Sequence, residues 1–174
     1  MIEIIKMGHP LLKEKALVIN KDRIDSEDFK KFVDELIAIM RASEGVGIAA
    51  TQVGVMERLF LLEVDNNKRY PNKENTPLHI MINPKIIYFS DEKIQAWEGC
   101  LSIPDVRGMV ERSQSIIMEY TDIDGKTVEK EFNDFPAVIA QHELDHLDGI
   151  LFIERMTDLK SLSFSDEYQK YHKD

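Results

Sequence analysis

Gln141-His142-Glu143-Leu144-Asp145-His146-Leu147-Asp148-Gly149 is the stretch around which the rest of the chain is organised. On an α-helix, positions four apart share a face, so His142 and His146 present two imidazoles to one point with Glu143 beside them. Two neutral imidazoles at that spacing suit a divalent transition metal, and an adjacent carboxylate suits proton transfer to and from water activated there. The competing reading is a solvated helix whose His, Glu and Asp merely face water. A bare H-E-x-x-H does not decide between them. The spacing places the start of this helix near Asn133 or Asp134, with Pro136 tolerated in its first turn, and its end at Gly149.

Outward from that helix the chain reads mostly as strands. Asp124-Gly125 predicts a hairpin turn between Ile116–Tyr120 and Thr127–Phe132, two runs that alternate apolar and polar residues. Further strands are expected at Leu59–Val64, Leu78–Asn83, Lys85–Phe89, Gly108–Arg112 and Ser115–Thr121. A second principal helix runs from about Ser26 to Ser43. Ser26 is its N-cap, Glu27 and Asp28 lie in its first turn, and Phe29, Phe32, Val33, Leu36, Ile37 and Met40 form its apolar stripe. Leu11–Ala16 has a short helical pattern, 65–77 reads as an exposed polar loop, Ile150–Ile153 as a short buried strand or extended segment, and the tail after Thr157 as a short helix. Several strands with two helices and no β-α-β alternation make an α+β fold, with small mixed or antiparallel sheets around the helix that carries His-Glu-Leu-Asp-His.

At 174 residues, 43% hydrophobic and 31% charged, the chain is expected to form one domain over 1–174 with a sizeable core. No apolar run approaches the length of a membrane span, and neither a secretory signal nor a transit sequence is visible. A net charge of −10 argues against direct nucleic-acid binding. The one cysteine, Cys100, excludes intrachain disulfides and fits a reducing cytoplasm.

A catalytic site of this kind takes three protein ligands and keeps one position open. A further His at the spacing H-E-x-x-H-x-x-G-x-x-H would match Gly149, but the last position is Phe152. Glu167, some twenty residues beyond the motif in a stretch that reads as an exposed tail, is a second route and would make the chain an H-E-x-x-H metallopeptidase. Cys100, in Glu98-Gly99-Cys100-Leu101-Ser102-Ile103-Pro104, is a third: as a thiolate it is a strong soft ligand, and as a free Cys it is ordinary core filler. The residues alone leave these routes open, beside a closed structural metal site without catalysis.

Three segments together resemble the peptide deformylase family: Gly45-Val46-Gly47-Ile48-Ala49-Ala50-Thr51-Gln52, Glu98-Gly99-Cys100-Leu101-Ser102, and Gln141 to Gly149. They come in that family's order and at similar separations, and Gly8-His9-Pro10-Leu11-Leu12 resembles its opening. The resemblance implies that Cys100, His142 and His146 hold one divalent metal, Fe(II) in preference to zinc, nickel or cobalt, with water in the open position. It implies Glu143 as general base and acid, and Gln52 with the Leu101 backbone N–H as oxyanion donors. The implied reaction removes the formyl group from N-terminal formylmethionine of nascent polypeptides and releases formate. Gly47 is the expected contact to the substrate backbone. Val138 and Ile139, one turn before His142 on its face, join Ile48 and Leu101 as an apolar pocket for the methionine side chain. Glu98 is expected to pair with Arg112. Arg107 could face the cleft or solvent, and Trp97 reads as a packing residue. Some deformylases meet the ribosome through a basic C-terminal helix; the tail here is nearly neutral, so docking through it is not expected.

Overall fold

The structure, a computed structural model, describes residues 2–65, 67 and 74–172. In chain order its elements are a 3-10 turn at Pro10–Lys13, α1 (Lys21–Ile24), α2 (Glu27–Ala42), β1 (Gly47–Ala49), a 3-10 turn at Ala50–Val53 and β2 (Leu59–Val64). Then come β3 (Thr76–Phe89), β4 (Lys93–Cys100), β5 (Ile103–Ser113), β6 (Ser115–Thr121), β7 (Thr127–Asn133), α3 (Asp134–Leu147), β8 (Ser163–Phe164) and α4 (Ser165–Tyr171). Among the described residues the strands form two antiparallel sheets, ordered β1-β2-β3-β6-β7 and β4-β5-β8. The fold is α+β, as the sequence pattern implied.

β2 explains how the layers are arranged. Its run Leu-Phe-Leu-Leu-Glu-Val is apolar at five of six positions because both of its faces are covered. Successive side chains of a strand point to opposite faces. Phe60, Leu62 and Val64 pack with Ala137, Ile139, Ala140 and Leu147 of α3, while Leu59 and Leu61 pack with Phe29, Val33, Leu36 and Met40 of α2. The sheet is therefore held between the two principal helices, and α3 lies along its inner face. α2 forms as its pattern dictates: Ser26 Oγ accepts from the Phe29 N–H at 3.2 Å, and the apolar stripe is the buried one.

α3 ends where its sequence says it must. The Ile150 N–H reaches the Asp145 carbonyl at 2.9 Å and the Gly149 N–H reaches the His146 carbonyl at 3.2 Å, which closes the last turn with Gly149 in the left-handed region at φ 74°. A Cβ on Gly149 would lie 2.5 Å from the Lys13 carbonyl oxygen, so the N-terminal turn is packed directly on this helix end. Gly149→Ala is expected to cost about 2 kcal/mol or more, from left-handed strain and this collision together. Urea unfolding reads it as a lower midpoint with an unchanged slope, and an unaltered midpoint would show that the helix end can rearrange freely.

Three expectations need correcting. Leu78–Asn83 and Lys85–Phe89 are one strand: Asn83 takes φ 51° and the pairing with β6 shifts register between Ile82 and Lys85, yet the strand continues. Ile150–Ile153 is not a strand, since Phe152–Glu154 is a 3-10 turn and the neighbours Leu151 and Phe152 are both buried. Lys93–Cys100 forms a further strand, β4, beyond those the sequence pattern predicts. Of the polar loop 65–77, residues 66 and 68–73 lie outside the described residues, and Thr76 and Pro77 already belong to β3.

Candidate metal centre

The β4–β5 hairpin carries Cys100 to α3. Cys100 pairs with Ile103 across a two-residue turn, Leu101-Ser102, and the register shift at Gly99 turns the thiol inward. The sulfur meets the face of α3 that presents His142 and His146. One donor atom from each of the three residues lies within 4.8 Å of the others, and Cys100 Sγ is 3.2 Å from His146 Nε2. All three are buried.

The tautomer of His142 is set from behind. Its Nδ1 lies 2.7 Å from Glu98 Oε2, and a carboxylate can only accept, so Nδ1 carries the proton and Nε2 keeps its lone pair for the site. Glu98 is held in turn by Arg112, whose Nε and Nη2 donate at 2.7 and 3.1 Å. Arg112 Nη1 donates to Asp145 Oδ2 at 2.6 Å, and Arg155 closes the chain on Asp145 Oδ1 at 2.6 Å. Burial opposes ionisation of Glu98, but His142 and Arg112 outweigh it and bring its carboxyl down to about 2. Burial likewise opposes the Cys100 thiolate, and His146 and His142 overcome it, holding the thiol well below its ordinary value. Removing one member of such a buried ionic group strands the others, which is the costly way to break it.

A narrow cavity opens over Cys100 and His142, lined also by Gly45, Gly47, Gln52, Leu101, Val138, Ile139 and Glu143 among others. Burial pushes the Glu143 carboxyl up to about 7. Among the described residues, Glu143 Oε2 and His146 Nδ1 are buried without a hydrogen-bond partner, a condition that costs free energy until something pairs with them. Gly47 gives Glu143 its room: a Cβ there would stand 2.4 Å from Glu143 Oε1. Gln52 is pinned at the cavity edge. Its Oε1 accepts from the Ala49 N–H at 2.9 Å, and its Nε2 donates to Ser102 Oγ at 3.2 Å and toward Cys100 Sγ at 3.5 Å. Sulfur with two imidazole nitrogens suits zinc, iron, nickel or cobalt and not the oxygen-seeking magnesium or calcium. The residues present therefore fit one transition-metal ion.

Other expected site residues fall differently. Ile48 follows Gly47 in β1, so it faces the opposite way, fully buried against α2 and absent from the cavity wall. Glu167 lies on α4 with Lys170 Nζ at 2.7 Å and is not part of the three-residue cluster. Phe152, where a further His would stand, stacks on His142 with ring centroids 6.1 Å apart. Glu98 does pair with Arg112, Arg107 is buried, and Trp97 lines the cavity. Sequence reading missed the Glu98–His142 bond, the Asp145–Arg155 pair, and Gln141, whose side-chain amide makes both backbone hydrogen bonds of Ser113 and ties α3 to β5. Each joins residues distant in sequence, and nothing local signals them.

The model of the polypeptide deformylase family matches residues 1–162. The chain belongs to that family. Peptide deformylase 2 of Nostoc sp. is 42% identical over 170 residues, 98% of this chain and 94% of the relative. The peptide deformylase of Leptospira biflexa is 35% identical over 166 residues, 95% of this chain and 93% of its own. Among solved structures, the class I type b peptide deformylase of Acinetobacter baumannii with Met-Ala-Ser bound superposes with a TM-score of 0.87 at 40% identity, over 90% of this chain and 98% of that one. The peptide deformylase of Thermotoga maritima gives 0.80 at 35%, over 91% and 99%. Membership makes the chain an enzyme and implies a single catalytic metal, for which Cys100, His142 and His146 are a possible site. Among the described residues no helix is long and apolar enough to cross a membrane.

Proposed function

We propose that this chain removes the formyl group from the N-terminal formylmethionine of nascent polypeptides and releases formate, as one catalytic domain in a bacterial cytoplasm. The observation that carries the reading is a buried carboxylate oxygen of Glu143 without a partner, in a cavity lined by Cys100 and His142 of a converging three-donor cluster. A divalent metal bound by Cys100, His142 and His146 supplies Lewis acidity, polarising a carbonyl and making water a nucleophile near neutral pH. We take it to be Fe(II) on family resemblance, with zinc, nickel and cobalt acceptable to the same donors.

The chain's own residues do the rest. Glu143 takes a proton from the water that adds to the formyl carbon and returns it to the methionine nitrogen as the C–N bond breaks. Formate leaves, and the peptide departs with a free amine. Gln52 Nε2 and the Leu101 N–H are the donors for the oxyanion. Val138, Ile139 and Leu101 give the methionine side chain an apolar wall, and Gly45 and Gly47 leave space for an extended peptide backbone beside β1. The Met-Ala-Ser bound to the Acinetobacter baumannii relative has the chemistry of a deformylated product.

Mass spectrometry of formyl-Met-Ala-Ser after incubation with the metal-loaded protein tests this. Loss of the formyl group with the tripeptide intact is expected; cleavage between amino acids would instead mark a peptidase. Gly47→Ala is expected to lower turnover about 10²-fold while the metal stays bound, because its Cβ would displace the Glu143 carboxylate. Steady-state kinetics with metal analysis checks it, and full turnover by this variant would remove Glu143's tight seat from the account.

A further inference from the structure

The family match stops at residue 162, and α4 lies beyond it. That helix is nevertheless built against the cleft. β8 pairs with β5 through Val106–Phe164 and Arg107–Ser163, which anchors the start of α4 beside the Cys100 hairpin. Tyr168 then sits between two residues of the hairpin. Its ring centroid is 4.9 Å from that of Trp97, and the Arg107 guanidinium carbon is 5.7 Å from it. Both distances are within the range of aromatic pairing and cation–π attraction.

What Tyr168 touches leads to the site. Trp97 lines the same cavity as Cys100, His142 and Glu143. Arg107 lies across Gly99, the residue before Cys100, so closely that a Cβ there would stand 2.9 Å from Arg107 Nε. A second cleft, sharing Cys100 and Leu101 with the first, has Arg107 on one side and Ser165 and Gln169 of α4 on the other. The reacting groups, by contrast, stand on α3, at Gln52 and at Cys100, and none is in contact with the Tyr168 ring.

We propose that Tyr168 is a positioning residue that holds Trp97 and Arg107 as the outer wall of the cleft, so that the C-terminal helix governs peptide binding and not the hydrolytic step. This rests on the deformylase reading above. The peptide residues that follow the methionine leave the metal cavity through the cleft that α4 completes.

The test is steady-state kinetics on formyl-Met-Ala-Ser with the full-length, metal-loaded parent, Tyr168→Phe, Tyr168→Leu and Tyr168→Ala. Trp97 is the chain's one tryptophan, so intrinsic emission reports on this wall alone. Tyr168→Ala is expected to raise KM about fivefold, ~1 kcal/mol at 1.4 kcal/mol per decade, with kcat within about twofold of the parent and emission shifted to the red. Tyr168→Leu, which keeps bulk but lacks a ring face, is expected to follow it, and Tyr168→Phe to match the parent in both readouts. An unchanged KM in Tyr168→Ala or Tyr168→Leu while emission shifts, or a loss confined to kcat, would overturn the inference. So would Tyr168→Phe behaving as Tyr168→Ala. A parent that releases no formate would overturn the function and this inference with it, whereas an active parent with an unmoved Tyr168→Ala KM overturns the inference alone.

Discussion

Glu143→Ala is expected to lower kcat for formyl-Met-Ala-Ser about 10³-fold, with one metal still bound per chain and KM little changed. General acid–base groups contribute about 10² to 10⁴ in rate, and Glu143 is asked to move the proton in both directions. Its carboxylate sits within the cavity beside the metal donors, buried, with Oε2 unpaired and in the space that Gly47 leaves by lacking a side chain. It is not one of the three clustered donors, so the metal has no reason to leave with it. Glu143→Gln sharpens the test because it keeps the shape and removes only the basicity. The same loss in both variants assigns the role to proton transfer. A Gln variant that retained most of the parent's turnover would confine Glu143 to packing or orientation.

Cys100→Ala should act differently. Loss of the sulfur is expected to weaken metal binding by more than about a hundredfold, beyond what removal of a supporting residue around a metal costs, and to abolish turnover with it. Stability of the metal-free protein is expected to fall by about 1 kcal/mol, because His146 Nε2 and the Ser102 N–H lose their buried partner while His142 keeps Glu98. Metal analysis after gel filtration, run beside thermal unfolding of the metal-free forms, separates loss of metal from loss of fold. An alanine variant that holds metal and turns over as the parent does would mean that another residue completes the site.

Much of this arrangement is legible in the sequence because the helices carry their own punctuation. Ser26 and the stripe from Phe29 to Met40 write α2; Pro136 and Gly149 bracket α3. β2 is visible as an apolar run, though only the structure shows that α2 and α3 cover its two faces. Lys93–Cys100 escaped notice because its apolar side chains are few and half-covered, and its pairing with β5 is what makes it a strand. Ile150–Ile153 misled by composition: consecutive burial of Leu151 and Phe152 belongs to a turn wedged against the hairpin, not to an alternating strand.

The site divides in the same way. His142 and His146 meet because a helix guarantees it, whereas Cys100 reaches them only through the fold, and residue spacing alone could not choose it over Glu167. Ile48, expected in the pocket, neighbours Gly47 in a strand, where adjacency means the opposite face, and it packs against α2 instead. Asp145, which a solvated helix would turn to water, is buried and joins Arg112 and Glu98 in a line to His142, with the partly exposed Arg155 at its outer end.

The central claim is that one metal, held by Cys100, His142 and His146, makes this chain a deformylase. Its most direct test is the rate of formate release from formyl-Met-Ala-Ser as metal-free protein, kept without oxygen, is titrated with Fe(II) or Ni(II). The account predicts no formate before metal is added, a linear rise, and a plateau at one equivalent per chain. Formate released without metal, or none at any equivalent of either ion, would contradict it.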